Sequence, residues 1–128
     1  MVKLADLIDQ PAVTVERHEP LARVAKNMYE RHIGSVVVVD ADGTLRGIFT
    51  ERDLLRACAA GVDSHASTVG HWMTEDPVTA SADDDASDAL SVMIDRDFRH
   101  LPVVGEAGVT GVVSMRALTR ALQESPTR

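Results

Sequence analysis

Apolar residues recur along the chain with two different periods, and these periods predict an alternation of helices and short strands. A spacing of about 3.6 residues indicates an amphipathic helix that begins near Pro20. Its apolar positions are Leu21, Val24, Ala25 and Met28. The run Ser35 to Val39 is apolar after its first residue, which is typical of a strand buried on both faces. A turn then leads into a strand at residues 45–49 and a helix at residues 51–60.

The second half of the chain repeats the first. A shift of 65 residues, which becomes 64 after the turn near Gly43, superposes one half on the other. The matched pairs include Val13 with Val78, Met28 with Met93, Arg31 with Arg96, Gly47 with Gly111, Leu54 with Leu118 and Ala57 with Ala121. Chance similarity would not keep one register for so long, so the chain contains two copies of one unit.

Each copy has the order β-α-β-β-α, which predicts an α/β (α+β) fold. The elements expected in the second copy are a strand at 78–80, a helix from Ala86, strands at 100–104 and 109–113, and a helix at 115–123. Short helical lead-ins are expected at 2–8 and 69–73, and a first strand at 13–15. We divide the chain into a first repeat (1–61), a linker (62–68), a second repeat (69–124) and a tail (125–128).

Three consecutive carboxylates, Asp83, Asp84 and Asp85, precede the helix that begins at Ala86. One interpretation is a helix cap that also complements the helix dipole. The other is a metal site. Consecutive residues point in different directions, so the cap is favoured and no metal is expected.

Composition limits the possible partners. The net charge is −7, and no basic run is present, which argues against nucleic acid and anionic membranes. The single cysteine, Cys58, cannot form an intramolecular disulfide. The sequence also lacks a signal-like N-terminus and a long apolar run, so we expect a cytoplasmic protein.

The segment 47–53 carries the candidate chemistry. Thr50 ends a strand, and Asp53 lies three residues later in the first turn of a helix. This spacing matches a capping box, in which the two side chains bond to each other's backbone N–H. The same geometry suits a ligand, because a helix N-terminus attracts phosphate and a carboxylate can accept hydrogen bonds from two ribose hydroxyls. Both interpretations stay open and are compatible.

The repeat, the order of elements and this segment together resemble the CBS (cystathionine-β-synthase) domain family over nearly the whole chain. The family motif Gly-h-x-Thr/Ser-x-x-Asp, in which h is apolar, is matched by Gly47, Ile48, Thr50 and Asp53. The blocks 33–40 and 99–104 are also similar to the family. The resemblance implies two repeats packed sheet to sheet with pseudo-two-fold symmetry, a Bateman module, with clefts that bind adenosine ligands.

The resemblance also implies a role for individual residues. Thr50 and Asp53 would hold the phosphate and ribose, while Arg99 and His100 of the other repeat would bind phosphate. Backbone groups around Thr14 and the side chains of Val15 and Val37 would enclose the adenine. No catalytic residue or cofactor is expected.

The second repeat departs from the motif. Ala117 stands where the ribose-binding Asp is expected, and alanine cannot accept a hydroxyl hydrogen bond. The positions equivalent to Arg99 and His100 are Gly34 and Ser35, so the phosphate charge is also unmatched. Both defects fall on one cleft, and we expect one competent nucleotide site.

These features predict a regulatory sensor of AMP, ADP or ATP that acts as a homodimer on a separate effector protein. A first alternative is a constitutive structural or interaction dimer that binds no nucleotide. A second is an enzyme such as a nucleotide hydrolase, which would need a base or metal beside the phosphate that His100 alone does not provide.

Overall fold

The computed structural model describes residues 1–8 and 11–124, so the expected tail at 125–128 lies outside the described residues. The fold is mixed α/β, as the sequence predicts. The elements of the first half are β1 (Thr14–Val15), α1 (Leu21–Arg31), β2 (Ser35–Val39), β3 (Leu45–Thr50) and α2 (Glu51–Ala59). Those that follow are α3 (Val69–Trp72), β4 (Thr74–Glu75), β5 (Ala80–Ser81), α4 (Ala86–Arg96), β6 (His100–Gly105), β7 (Gly108–Ser114) and α5 (Met115–Glu124).

The strands form two separate sheets, one in each of two compact units. The first unit comprises Val13–Pro77, and its sheet has the order β1-β2-β3-β4. The second unit comprises the described residues of 1–12 and 78–128, and its sheet has the order β5-β6-β7. In both sheets the short first strand runs parallel to the second, and the remaining pairs are antiparallel.

The lead-in segments are exchanged between the repeats. The lead-in of the first half, a 3-10 helix at Leu4–Leu7, packs in the core of the second unit. The lead-in of the second half, α3, packs in the core of the first unit through Val69, Trp72 and Met73. The sequence repeats and the compact units therefore divide the chain at different residues.

Each core lies between one face of a sheet and its two longer helices. The buried residues of the first core are Val15, Leu21, Val24, Met28, Val36, Val38, Phe49, Ala57, Val69 and Met73. Those of the second are Leu4, Ala86, Ala89, Met93, Leu101, Val103, Val113 and Leu118. The helix positions of α1 among them follow the period that the sequence shows, which confirms the predicted inner face of α1.

The linker closes the N-terminus of α1. Pro20 is the N-cap residue and has an extended ψ of 146°. The next two backbone N–H groups, of Leu21 and Ala22, donate to the carbonyl oxygens of Ser67 and Ser64 at 3.0 and 2.9 Å. These bonds satisfy donors that every helix leaves free at its start. Residues 62–68 are thus part of the first unit's structure.

The acidic run before α4 acts as the sequence predicts. Asp85 is the N-cap residue, and its Oδ1 accepts a hydrogen bond from the backbone N–H of Ser87 at 3.4 Å. Asp84 accepts one from the N–H of Ser81 at 2.9 Å. The capping interpretation is confirmed for this segment.

The first strand of the second sheet begins later than the repeat predicts. In the first unit, the N–H of Val37 donates to the carbonyl of Val13 at 2.9 Å and starts the ladder. The equivalent of Val37 is Pro102, which has no N–H to donate. Pairing therefore starts one step further on, at Ala80 with Val103, and not at Thr79 with Pro102.

The glycine of each motif lies where a lead-in crosses a strand. A Cβ added to Gly47 would lie 2.7 Å from Met73 Sδ and 2.7 Å from the carbonyl oxygen of Thr74. A Cβ added to Gly111 would lie 2.6 Å from a side-chain carbon of Ile8. Only a residue without a side chain allows this approach, so these glycines have a packing role independent of any ligand.

We expect Gly47→Ala to lower the free energy of unfolding by about 1–3 kcal/mol, because the added methyl collides with backbone as well as side chain. Urea unfolding checks this. The matched control is Gly105→Ala, where the nearest atom to the added Cβ is a side-chain methyl of Thr110 at 3.3 Å. The control should change stability by about 0.5 kcal/mol or less. Equal losses in the two variants would contradict the packing role.

Candidate functional site

Asp53 is the buried carboxylate at the centre of the candidate site. It lies in the first turn of α2, and its side chain is only 5% exposed. Its Oδ2 accepts hydrogen bonds from the backbone N–H of Thr50 at 3.0 Å and from the Thr50 hydroxyl at 3.3 Å. The backbone N–H of Asp53 donates in turn to Thr50 Oγ1 at 3.4 Å. The capping box predicted from the sequence is therefore present.

Arg56 supplies a positive charge to this carboxylate. It lies one turn further along α2, and its Nη1 donates to Asp53 Oδ1 at 2.8 Å. Its guanidinium carbon also lies 5.6 Å from the centroid of the Trp72 ring, a cation–π distance. A buried carboxylate is costly unless it is paired and hydrogen-bonded, and Thr50 and Arg56 together meet that requirement.

A row of side chains extends from this site across one face of the sheet of the first unit. Thr14 pairs with Val37, and Val37 pairs with Ile48, so these three side chains lie on one face. Ser35 and Thr50 form the next pair on the same face. Val37 and Ile48 are buried, although neither belongs to the hydrophobic core of the unit. The row brings Thr14 and Val37 to the face on which Thr50 lies.

Val15 does not belong to that face. It pairs with Val38, one residue along from Val37, and both Val15 and Val38 are part of the hydrophobic core. Because successive side chains of a strand point to opposite faces, Val15 and Val37 point apart. The expectation that both valine side chains enclose one ligand needs correction: the Val15 side chain packs in the core.

The second unit keeps the cap and lacks the carboxylate. Ser114 Oγ accepts a hydrogen bond from the backbone N–H of Ala117 at 3.0 Å, as Thr50 does from Asp53. His100 pairs with Ser114 across the sheet and is partly buried. Arg99 is exposed, and its carbonyl oxygen accepts from the N–H of Met115 at 2.8 Å. The candidate phosphate ligands Arg99 and His100 thus lie at the start of β6, beside the start of α5.

The first unit therefore brings together Thr14, Val37, Thr50 and Asp53, and the second holds Arg99 and His100. Sequence reasoning missed Arg56 as a partner of the carboxylate and Trp72 as a partner of Arg56. The i,i+3 spacing of Asp53 and Arg56 on a helix was a signal that could have identified the ion pair. The contact with Trp72 had no such signal, because it joins two helices separated by the linker.

Comparison with known proteins identifies the family. The sequence model of the CBS domain matches residues 4–60 and 69–124. A crystal structure of a CBS-domain protein from Agrobacterium tumefaciens is 33% identical, with a TM-score of 0.88 over 94% of this chain and 99% of that one. The chain belongs to the CBS domain family and contains two of these domains in tandem.

Two other solved structures share the fold and hold adenosine compounds. The CBS domain pair of protein MJ0100, in complex with 5′-methylthioadenosine and S-adenosyl-L-methionine, is 24% identical with a TM-score of 0.88, over 96% of this chain and 97% of that one. A CBS domain protein from Pyrobaculum aerophilum, complexed with AMP, is 23% identical with a TM-score of 0.84, over 97% of this chain and 100% of that one. None of the helices in the described part of the chain has the length and apolar composition that a membrane span requires.

Replacing the cap hydroxyl tests the geometry of the first site. We expect Thr50→Val to lower the free energy of unfolding by about 1 kcal/mol, because the Asp53 N–H loses its acceptor. Thr50→Ser keeps the hydroxyl and should preserve most of the stability. Ser114→Ala is the matched change in the second repeat and should cost a similar amount. Denaturant unfolding measures the stability of the three variants. The capping role of the Thr50 hydroxyl would be contradicted if Thr50→Ser were as unstable as Thr50→Val.

Proposed function

We propose that this CBS pair is a regulatory module that binds an adenine nucleotide of the AMP, ADP or ATP type at one competent site and catalyses no reaction. The observation that carries the proposal is the buried Asp53 carboxylate, oriented beside Thr50 at the start of α2. In the family motif, the Thr/Ser and Asp positions are the ones that bind the phosphate and the ribose.

The chemistry of the first unit suits the nucleoside. The Thr50 hydroxyl would turn from Asp53 Oδ2 and donate to a ribose or phosphate oxygen. The Asp53 carboxylate would then accept hydrogen bonds from the two ribose hydroxyls. Val37 and the backbone around Thr14 lie on the same face and would contact the adenine. Val15 would contribute only through its backbone, because its side chain lies in the core.

The second repeat would supply the phosphate contacts. Arg99 and His100 are the basic pair that precedes and opens β6, and their equivalents in the first repeat, Gly34 and Ser35, carry no charge. In this proposal a nucleotide is bound by Asp53 of one repeat and by Arg99 and His100 of the other. It would stabilise the arrangement of the repeats in which all three residues contact it. Binding shifts the population by its differential affinity for that arrangement, which is the basis of a sensor.

The proposal assigns only one competent site because Ala117 replaces the carboxylate in the second repeat. Loss of two hydrogen bonds to an ionised group costs about 1.5–3 kcal/mol each, or roughly tenfold or more in affinity per bond. The retained Ser114 cap accounts for the helix start there without any ligand.

Solved structures of the same fold support the ligand class. One holds AMP and another holds 5′-methylthioadenosine and S-adenosyl-L-methionine, so the fold accommodates adenosine compounds. Arg99 and His100 favour a phosphorylated ligand over S-adenosylmethionine, which carries no phosphate. The proposal includes a cytoplasmic homodimer that signals to a separate effector protein.

One observation favours an alternative, a constitutive structural module that binds no nucleotide. The capping box gives Asp53 and Thr50 a structural role in α2 without a ligand. This alternative expects no change in melting temperature with any adenosine compound, which separates it from a sensor.

A thermal-shift panel of AMP, ADP, ATP and S-adenosylmethionine tests the sensor. A ligand at about 100 times its dissociation constant stabilises the folded state by about 2.7 kcal/mol, which should raise the melting temperature by several degrees. Asp53→Ala should abolish the shift relative to its own unliganded melting temperature. Asp95→Ala, on the exposed side of α4, is the control and should keep it. A full shift in Asp53→Ala would overturn the assignment of the site.

The phosphate contacts have a separate test by calorimetry with AMP and adenosine. We expect Arg99→Ala to weaken AMP binding about tenfold and to leave adenosine binding unchanged, because only AMP carries the charge that Arg99 would meet. Arg96→Ala removes an exposed arginine from the last turn of α4 and serves as the control. Equal losses of affinity for AMP and for adenosine in Arg99→Ala would exclude Arg99 as a phosphate ligand.

A further inference from the structure

Arg56 holds the candidate ribose-binding carboxylate from one side while Thr50 holds it from the other. Oδ1 of Asp53 faces the Arg56 guanidinium, and Oδ2 faces the N–H and hydroxyl of Thr50. Donors on both oxygens fix the plane of the carboxylate. A carboxylate in a fixed plane suits a vicinal diol, because each hydroxyl of the diol must donate to a different oxygen or lone pair of the carboxylate.

Arg56 is itself restrained by Trp72. The guanidinium carbon lies 5.6 Å from the ring centroid, and the contact joins α2 to α3. The indole N–H of Trp72 is buried and has no hydrogen-bond partner among the described residues, so packing and the guanidinium contact set the position of the ring. An arginine that lies over a ring loses less freedom when it binds a carboxylate than a free surface side chain does.

The second repeat provides a natural comparison. The repeat register places Arg120 at the position of Arg56, Ala117 at that of Asp53, and Leu7 at that of Trp72. The arginine is therefore present in both repeats, whereas the carboxylate and the ring occur together only in the first. Arg120 is exposed on α5 and carries the same charge in the same helical position.

We propose that Arg56, held over Trp72, is a positioning residue that orients the Asp53 carboxylate toward a ribose diol and gives the site its preference for ribonucleotides over 2′-deoxyribonucleotides. This inference rests on the proposed function and adds a residue outside the family motif segment 47–53. Arg56 acts through Asp53 and does not itself contact the ligand.

The test compares AMP with 2′-deoxy-AMP by calorimetry on the full chain. The native protein should bind AMP about tenfold more tightly than 2′-deoxy-AMP, because one hydrogen bond to the carboxylate is lost. In Arg56→Gln, AMP binding should weaken about fivefold while 2′-deoxy-AMP binding changes little, so the preference falls to about twofold. Arg56→Lys keeps the charge but not the planar fork, and should give an intermediate preference.

Arg120→Gln is the matched control and should keep the native preference, since Ala117 stands in the second repeat where Asp53 stands in the first. Melting temperatures confirm that each variant is folded, and Arg56→Lys tests the proposal if Arg56→Gln does not fold. If the Arg56 variants lose the same factor of affinity for AMP and for 2′-deoxy-AMP, the positioning role is overturned, whereas the proposed nucleotide site is not. Absence of binding to the native chain would overturn both the proposed function and this inference.

Discussion

Both units depend on the close contact between a lead-in segment and a glycine of the central hairpin. Met73 lies against Gly47 in the first unit, and Ile8 lies against Gly111 in the second. Each contact brings apolar side chains from one half of the sequence into the core built mainly by the other half. A repeat of this length buries little surface alone, so the exchanged segment supplies part of the apolar area that the unit needs.

This arrangement gives the motif two separable functions. Gly47 admits the lead-in, Thr50 caps α2, and Asp53 completes the capping box while carrying a charge that a cap alone does not need to bury. The second repeat retains the glycine (Gly111) and the cap hydroxyl (Ser114), and the uncharged Ala117 replaces the carboxylate. Comparison of the two copies thus separates what the fold requires from what a ligand would require.

Much of the fold followed from the sequence because its signals are local. The bounds of β2 and the inner face of α1 agree with the apolar pattern, and Asp85 caps α4. The two-residue strand β4 was not predicted, since both of its residues are exposed and show no apolar alternation. The late start of β5 also went unpredicted. It depends on Pro102, a residue of its partner strand.

The candidate site was predictable in its motif and not in its surroundings. Thr50 and Asp53 could be named because two residues three positions apart at the start of a helix have a fixed geometry. Val15 was placed on the wrong side of its strand as a pocket side chain, since a two-residue strand gives too short an alternation to assign a face. Trp72 became a neighbour of Arg56 only through the exchange of α3 into the first unit.

The exchange of lead-ins also constrains how such a chain can arise or be divided. An isolated copy of the repeat would carry a lead-in that belongs to a different core, and its own core would lack one. A single repeat expressed alone could complete its core only by exchanging N-terminal segments with a second molecule. In the tandem chain both segments are exchanged within one molecule, so the two copies must be present together for either core to be complete.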